Sequence, residues 1–420
     1  MVQLHIQEHS KKKKYTLIYS KMKILPVIIC GGAGTRLFSE SNNNLPKQFI
    51  DFGNWNMFQK TLERINTSIY LPPIISTNIK YRSLVKKHLK INNIKKYKII
   101  LEPFKKNTAP AILAASLLDE IKSSQPIIIL PSDQLIDDKI KFNTAVKKYS
   151  KKINYKDIFI FGIKPKEPSD QYGYFLRDKN SNEVSNFFEK PNKIIAKKLI
   201  KKGALWNAGI FLSTKESLVY HFLNNNNKLF NDCLNSVHKA VKKNKCIFLE
   251  KKSFRKIKSI SFDYAILEKI NNIKSIKLIT NWSDLGSWKA INALFKNRRF
   301  KFYNKKNLFK RPWGTYRNLF KGKNFLIKEL IVNKNGCLSL QKHKYREEHW
   351  LIFEGNPEIT LDKKIINASE NDIIFIPKGA VHRINNKYKK PVKIIEAQLG
   401  KVLKETDIIR LEDVYGRIKK

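Results

Sequence analysis

ILPVIICGGAGTRLFSESNNNLPKQF, residues 24–49, is the stretch that decides the fold. Its first part, Ile24–Cys30, is a short apolar run with the length and β-branching of a buried strand. The run opens into Gly31, Gly32, Ala33, Gly34, Thr35 and Arg36. Glycines let a backbone come close to a ligand, and successive N–H groups in such a loop make an anion cradle. Arg36 adds a fixed charge and Lys47 a mobile one, both suited to phosphate oxygens. No Gly-Lys-Ser/Thr follows, so this is not a Walker A loop. The third glycine of a dinucleotide fingerprint is also missing. A buried strand running into a phosphate-gripping loop points to an α/β domain.

From Ile24 to about residue 297 the pattern continues as alternating strands and helices. Lys98–Leu101, Pro126–Leu130, Ile158–Gly162 and Ser275–Ile279 read as strands. Phe58–Arg64 and Thr108–Ile121 read as helices, with Thr108 as N-cap and Pro110 in the first turn. This alternation predicts a Rossmann-like α/β domain with a mostly parallel sheet, whose ligands sit at the carboxyl ends of the strands. Asp133, just past the apolar run PIIIL, suits Mg²⁺, which takes hard oxygens from one or two carboxylates plus phosphate. The same residue fits a helix cap or a turn equally well.

At this point a resemblance appears. GGAGTRL followed by PKQF resembles the signature of sugar-nucleotide pyrophosphorylases, and most closely their mannose-1-phosphate guanylyltransferase branch. The motifs that follow keep the order of that family: LEP at 101–103, NTAP at 107–110, PSD at 131–133, YGYF at 172–175, FFEKP at 187–191, WNAGIF at 206–211, SFDYAILEK at 261–269 and WSDLGSW at 282–288. The resemblance implies transfer of GMP from GTP to mannose 1-phosphate. It implies that Gly31, Gly32, Gly34 and Thr35 cradle the triphosphate, with Glu102 at the guanine. Gly173, Glu189, Lys190, Asn207 and Asp263 would hold the sugar phosphate. Asp133 and Asp284 would hold Mg²⁺, working with Arg36 and Lys47. The chain departs from the family between Phe38 and Asn43, and Gln134 stands where the family has a histidine.

Residues 311–420 change character. Phe325–Val332, Trp350–Phe353, Ile373–Ile376 and Val392–Ala397 read as strands with Gly and Asn turns, the pattern of a small all-β jelly roll. QKHKYREEHWLIFEG, residues 341–355, and PKGAVHRINN, residues 377–386, resemble the two cupin motifs, with Gln341 in place of the first histidine. The mannose enzymes carry such a module as a type II phosphomannose isomerase. The resemblance implies Gln341, His343, Glu348 and His382 as ligands for Zn²⁺ or another divalent metal, Arg417 on the substrate, and mannose 6-phosphate as that substrate. Lys344 and Tyr345 replace histidines that the family has next to His343.

The expected organisation is a disordered extension over residues 1–22, a nucleotidyltransferase domain over 23–297, a linker over 298–310 and a cupin-type domain over 311–420. The net charge is +48, from 83 basic and 35 acidic residues in a chain of 420. Such a charge fits a nucleic-acid binder. The lysines are spread among Asn and Ile along the chain, the pattern of AT-rich codon usage, so no specific nucleic acid is expected. Cys30, Cys233, Cys246 and Cys337 form no C-x-x-C pair and read as reduced thiols of a cytoplasmic protein. No apolar run reaches the roughly 18 residues of a membrane span. A homo-oligomer is expected. Two alternatives stay open: another nucleoside triphosphate and hexose phosphate, or a basic nucleic-acid-binding protein without catalysis.

Overall fold

The computed structural model describes residues 22–31, 46–50, 55–178, 181–271, 273–284, 308–321 and 324–417. They fall into two compact units. The first holds described residues 22–31 and 57–284, and the second holds 46–50, 55–56 and 308–417. The short 3₁₀ turn Lys47–Phe49 therefore groups with the second unit, although it was expected in the first domain. Gly32, Gly34, Thr35 and Arg36, the divergent loop Phe38–Asn43 and residues 1–21 lie outside the described residues.

In the first unit the strands are β1 (Leu25–Ile29), β2 (Ile74–Asn78), β3 (Lys98–Glu102), β4 (Pro126–Pro131), β5 (Leu135–Ile136), β6 (Ile158–Ile163), β7 (Tyr174–Arg177), β8 (Val184–Phe188), β9 (Leu205–Thr214), β10 (Val241–Lys243), β11 (Cys246–Phe248), β12 (Ile273–Lys277) and β13 (Trp282–Ser283). Eleven of them form one sheet with the path β10-β11-β3-β2-β1-β4-β9-β6-β12. The run β11-β3-β2-β1-β4 is parallel throughout. β9 then enters antiparallel between β4 and β6, and β7 and β8 extend from it. β1 and β4, at the centre of the sheet, are continuous apolar runs because both faces are covered: Val27, Ile28 and Ile127 are wholly buried, as are Ile75 of β2 and Ile99 of β3.

The helix Thr108–Ser116 covers this sheet and is buried along its whole length, which explains its lack of an apolar stripe. Its cap is Asn107, not Thr108. Asn107 adopts a φ of 68° and accepts from the Thr108 N–H, while the Thr108 hydroxyl accepts from the N–H of Phe262. The helix also stops before the expected Ile121; Leu118 and Ile121 reach the core from the turn that follows. β12 begins two residues before the expected strand, because Ile273 and Ile276 are its buried positions and Ile279 turns to solvent.

The second unit contains β14 (Leu308–Arg311), β15 (Gly314–Lys321), β16 (Phe325–Val332), β17 (Leu340–His343), β18 (Arg346–Glu354), β19 (Glu358–Leu361), β20 (Lys364–Asn367), β21 (Ile373–Ile376), β22 (His382–Asn385), β23 (Val392–Gly400) and β24 (Ile408–Glu412). The segment expected as a linker thus ends in a strand, β14, paired with β15. One sheet runs β14-β15-β16-β23-β18-β21 and the other β20-β19-β22-β17-β24. All described pairings in both are antiparallel. Trp350, Ile352 and Ile394 of the first sheet pack with Ile359 and Ile384 of the second in one core, the double-sheet arrangement of a jelly roll. β18 starts at Arg346, earlier than expected, since Arg346, Glu348 and Trp350 alternate inward.

Candidate functional site

The first unit gathers its polar residues at the carboxyl ends of β1, β3 and β4. Gly31 follows β1, Glu102 ends β3 and Asp133 follows β4. A methyl group on Gly31 would lie 3.9 Å from Glu102 Oε1. The Ser76 hydroxyl, from β2, donates to that same oxygen at 2.7 Å. Burial pushes the Glu102 carboxyl up to about 7, against the Ser76 hydrogen bond that lowers it. Ser76 carried no signal in the sequence.

A two-residue ladder joins the segments that carry Asp133 and Asp284. β5 and β13 run antiparallel with Ser283 opposite Leu135 and Trp282 opposite Ile136. The residues that leave this ladder at one end are Gln134 and Asp133 on one side and Asp284 on the other. Gln134 fastens the junction: its amide donates to the Ala208 carbonyl at 2.6 Å and accepts from the Trp282 indole at 3.0 Å. The Tyr172 hydroxyl donates to Asp284 Oδ1 at 2.8 Å.

Next to Tyr172 comes Gly173, at the centre of a third group. A methyl group there would stand 2.7 Å from Glu189 Oε2 and 3.5 Å from Asn207 Cβ. The absence of a side chain is what lets these three residues meet. Asn207 Nδ2 donates to Asp263 Oδ1 at 2.7 Å, and Asn207 Oδ1 accepts from the Gly209 N–H at 2.9 Å. Lys190 pairs with Glu189. Burial, then the charge of Glu189, pushes the Asp263 carboxyl up to about 7. Gly173, Glu189, Lys190, Asn207 and Asp263 therefore form one cluster with both charge signs, which suits the hydroxyls and the anionic group of a sugar phosphate. Lys47 is buried and lies in the segment grouped with the second unit.

The second unit places a distinct site between its two sheets. β17 supplies Gln341 and His343, β22 supplies His382 and β18 supplies Glu348. Gln341 and His382 are directly opposite in the ladder. One ligand atom from each of His343, Glu348 and His382 lies within 4.8 Å of the others. His343 Nε2 is 3.1 Å from Glu348 Oε1, and His382 Nε2 is 3.8 Å from Glu348 Oε2. His382 Nδ1 lies 2.9 Å from the Ala380 carbonyl, which fixes Nδ1 as the protonated nitrogen; Nε2 is buried and bonds to nothing. Two imidazoles, one with an orphaned ring nitrogen, and a carboxylate fit a divalent metal. Gln341 Oε1 accepts from Ser339 at 2.9 Å.

Arg346 was not foreseen as part of this site. Its guanidinium is buried, with Nε 2.9 Å from Glu348 Oε1 and Nη2 3.2 Å from His343 Nε2. Gln398 and Trp350 also donate to Glu348, at 3.0 and 3.1 Å. Burial favours a neutral Glu348, but His343, His382 and Arg346 together hold it well below the usual carboxylate range. Glu396, on β23, goes the other way: burial and the Glu348 charge push it up to about 8, with Lys328 opposing. Glu396, Lys328, Arg346, Arg410 and Arg417 line one cavity with Gln341. Arg417 reaches this cavity while paired through Nε and Nη2 with Asp413, at 2.8 and 2.6 Å.

A mostly parallel α/β sheet with carboxylates at its strand ends, followed by a jelly roll with a His-Glu-His centre, defines a two-part architecture. The nucleotidyl transferase family model matches residues 25–299, and the model described as mannose-6-phosphate isomerase C-terminal matches residues 297–413. The chain belongs to the nucleotidyl transferase family and carries that C-terminal domain behind it. The mannose-1-phosphate guanylyltransferase of Sinorhizobium fredii is 30% identical, over 93% of this chain and 91% of its own. The alginate biosynthesis protein AlgA of Pseudomonas syringae pv. tomato is 28% identical, over 94% and 97%. A crystal structure titled mannose-6-phosphate isomerase, from Helicobacter pylori, superposes with a TM-score of 0.55 at 25% identity, covering 62% of this chain and all of that one. Among the described residues no helix is long and apolar enough to cross a membrane.

Proposed function

We propose that the chain transfers GMP from GTP to mannose 1-phosphate, giving GDP-mannose and pyrophosphate. The observation that carries this reading is the ladder that leaves Asp133 and Asp284 at one end, beside the cluster around Gly173. A phosphate oxygen of the sugar phosphate attacks the α-phosphorus of the nucleotide. The bond to the bridging oxygen breaks, and pyrophosphate leaves with its electron pair. Two polyanions must be aligned and their charge neutralised, so positioning and electrostatics do the work. Asp133 and Asp284 would hold Mg²⁺, which neutralises phosphate charge when bound. Lys190 meets the sugar phosphate, Glu189 and Asn207 the sugar hydroxyls, and Asp263 holds Asn207 in place. Glu102, next to Gly31, would meet the nucleotide, and the expected residues Gly32, Gly34, Thr35, Arg36 and Lys47 would complete the phosphate grip. Asp133→Asn tests this reading: pyrophosphate release with GTP and mannose 1-phosphate falls at least 100-fold while the melting temperature stays within a few degrees. Unchanged turnover contradicts the metal role.

A second activity is favoured by the His343, Glu348 and His382 centre, whose neighbour Arg346 lines a cationic cavity together with Gln341. We propose interconversion of mannose 6-phosphate and fructose 6-phosphate there. Those three residues with Gln341 would hold Zn²⁺ or another divalent cation, which polarises a carbonyl when bound. Arg410 and Arg417 hold the phosphate. The enzyme works as a homo-oligomer in the cytoplasm.

A further inference from the structure

Tyr172 was outside the set of residues expected to carry chemistry, yet it stands where the two halves of the first site meet. Its backbone leads into Gly173, which permits the contact between Glu189 and Asn207. Its hydroxyl donates to Asp284 Oδ1 at 2.8 Å. The ring is held on two sides: its centroid lies 4.7 Å from that of Trp206 and 5.3 Å from that of Trp282. Trp206 immediately precedes Asn207, and Trp282 lies two residues before Asp284. Trp282 is itself fixed, since its indole donates to Gln134, whose amide grips the Ala208 carbonyl. The phenol is thus packed between the strand that carries the sugar cluster and the strand that leads to Asp284. A charge-assisted hydrogen bond from a phenol packed in this way biases the carboxylate's rotamer strongly.

We propose that Tyr172 is a positioning residue that orients the Asp284 carboxylate toward the metal and couples that orientation to the sugar-phosphate cluster. This rests on the reading of Asp284 as a Mg²⁺ ligand. The residue touches neither reacting phosphate; it acts through Asp284. Its ring makes the packing contacts and its hydroxyl alone makes the bond to the carboxylate, so Tyr172→Phe separates the two.

The test titrates Mn²⁺ into the full-length protein with saturating GDP-mannose, counting free Mn²⁺ by electron paramagnetic resonance, with Glu348→Gln present in every sample to remove the second unit's candidate metal site. Wild type, Tyr172→Phe and Asp284→Asn are compared, with melting temperatures measured on the same samples. Tyr172→Phe is expected to weaken Mn²⁺ binding about tenfold, the effect of losing one charge-assisted hydrogen bond. The Mg²⁺ concentration for half-maximal turnover should rise by a similar factor, with the melting temperature unchanged. Wild-type Mn²⁺ affinity in Tyr172→Phe, beside a weakened Asp284→Asn, overturns the positioning role and leaves the metal site standing. Wild-type affinity in Asp284→Asn overturns the metal site and the proposal with it.

Discussion

Glu102 shows how far a single residue's environment departs from what its letter suggests. A glutamate at a strand end reads as a solvated acceptor, but this one is buried under Gly31 with Ser76 as its donor. Its carboxyl is pushed from 4.5 up to about 7. Between those values the folded chain holds a proton that the unfolded chain has released. Unfolding free energy therefore falls as pH rises through this window. Glu102→Gln keeps an acceptor for Ser76 and removes the titration. The variant should gain about 1–3 kcal/mol over wild type between pH 4.5 and pH 8, read by urea unfolding. An equal difference at both pH values would show that Glu102 titrates normally. Arg346 teaches the same lesson in the second unit: between Tyr345 and Glu347 it reads as surface charge, yet it is 2% exposed and bonds two candidate metal ligands.

Among the elements, the turn entering β7 matters most for specificity. Gly173 packs against Glu189 with no room for a methyl group, at 2.7 Å from its Oε2. Gly173→Ala should push Glu189 aside and raise KM for the sugar phosphate about tenfold, with a smaller change in KM for the nucleotide. Equal changes in both constants, or none, would contradict the placement of the sugar at this cluster. Elements of this kind are partly legible in a sequence. The strands β1, β3 and β4 are continuous apolar runs followed by Gly31, Glu102 and Asp133, so their ends and their chemistry could be read together. The two-residue strands β5 and β13 were not legible, because their pairing is long-range and no local pattern marks it. Asn107 as a cap was missed for a related reason: its left-handed φ is imposed by the turn, and Thr108 is used elsewhere, on Phe262.

At the scale of the whole molecule, two compact units hold two separate candidate sites. The sequence changes pattern between them, since residues 24–297 read as alternating strand and helix and residues 311–420 as short β patterns. The detail of the second site was not legible, since Glu396, Gln398 and Lys328 reach it from strands distant in sequence from both cupin-like segments. If the centres are chemically independent, Glu348→Gln should abolish interconversion of mannose 6-phosphate and fructose 6-phosphate and leave pyrophosphate release within twofold of wild type. Loss of both activities together would contradict independence. The charge of +48 acts on every anion near the protein, and it sets no substrate preference by itself.

The most direct test of the central claim is a nucleotide panel. Pyrophosphate release is measured with mannose 1-phosphate and Mg²⁺ and with GTP, ATP, UTP or dTTP in turn. The proposed reading, with GTP as the nucleotide and mannose 1-phosphate as the acceptor, predicts turnover with GTP at least tenfold above the other three. Equal rates with all four, preference for another nucleotide, or no release beside an active control would contradict it.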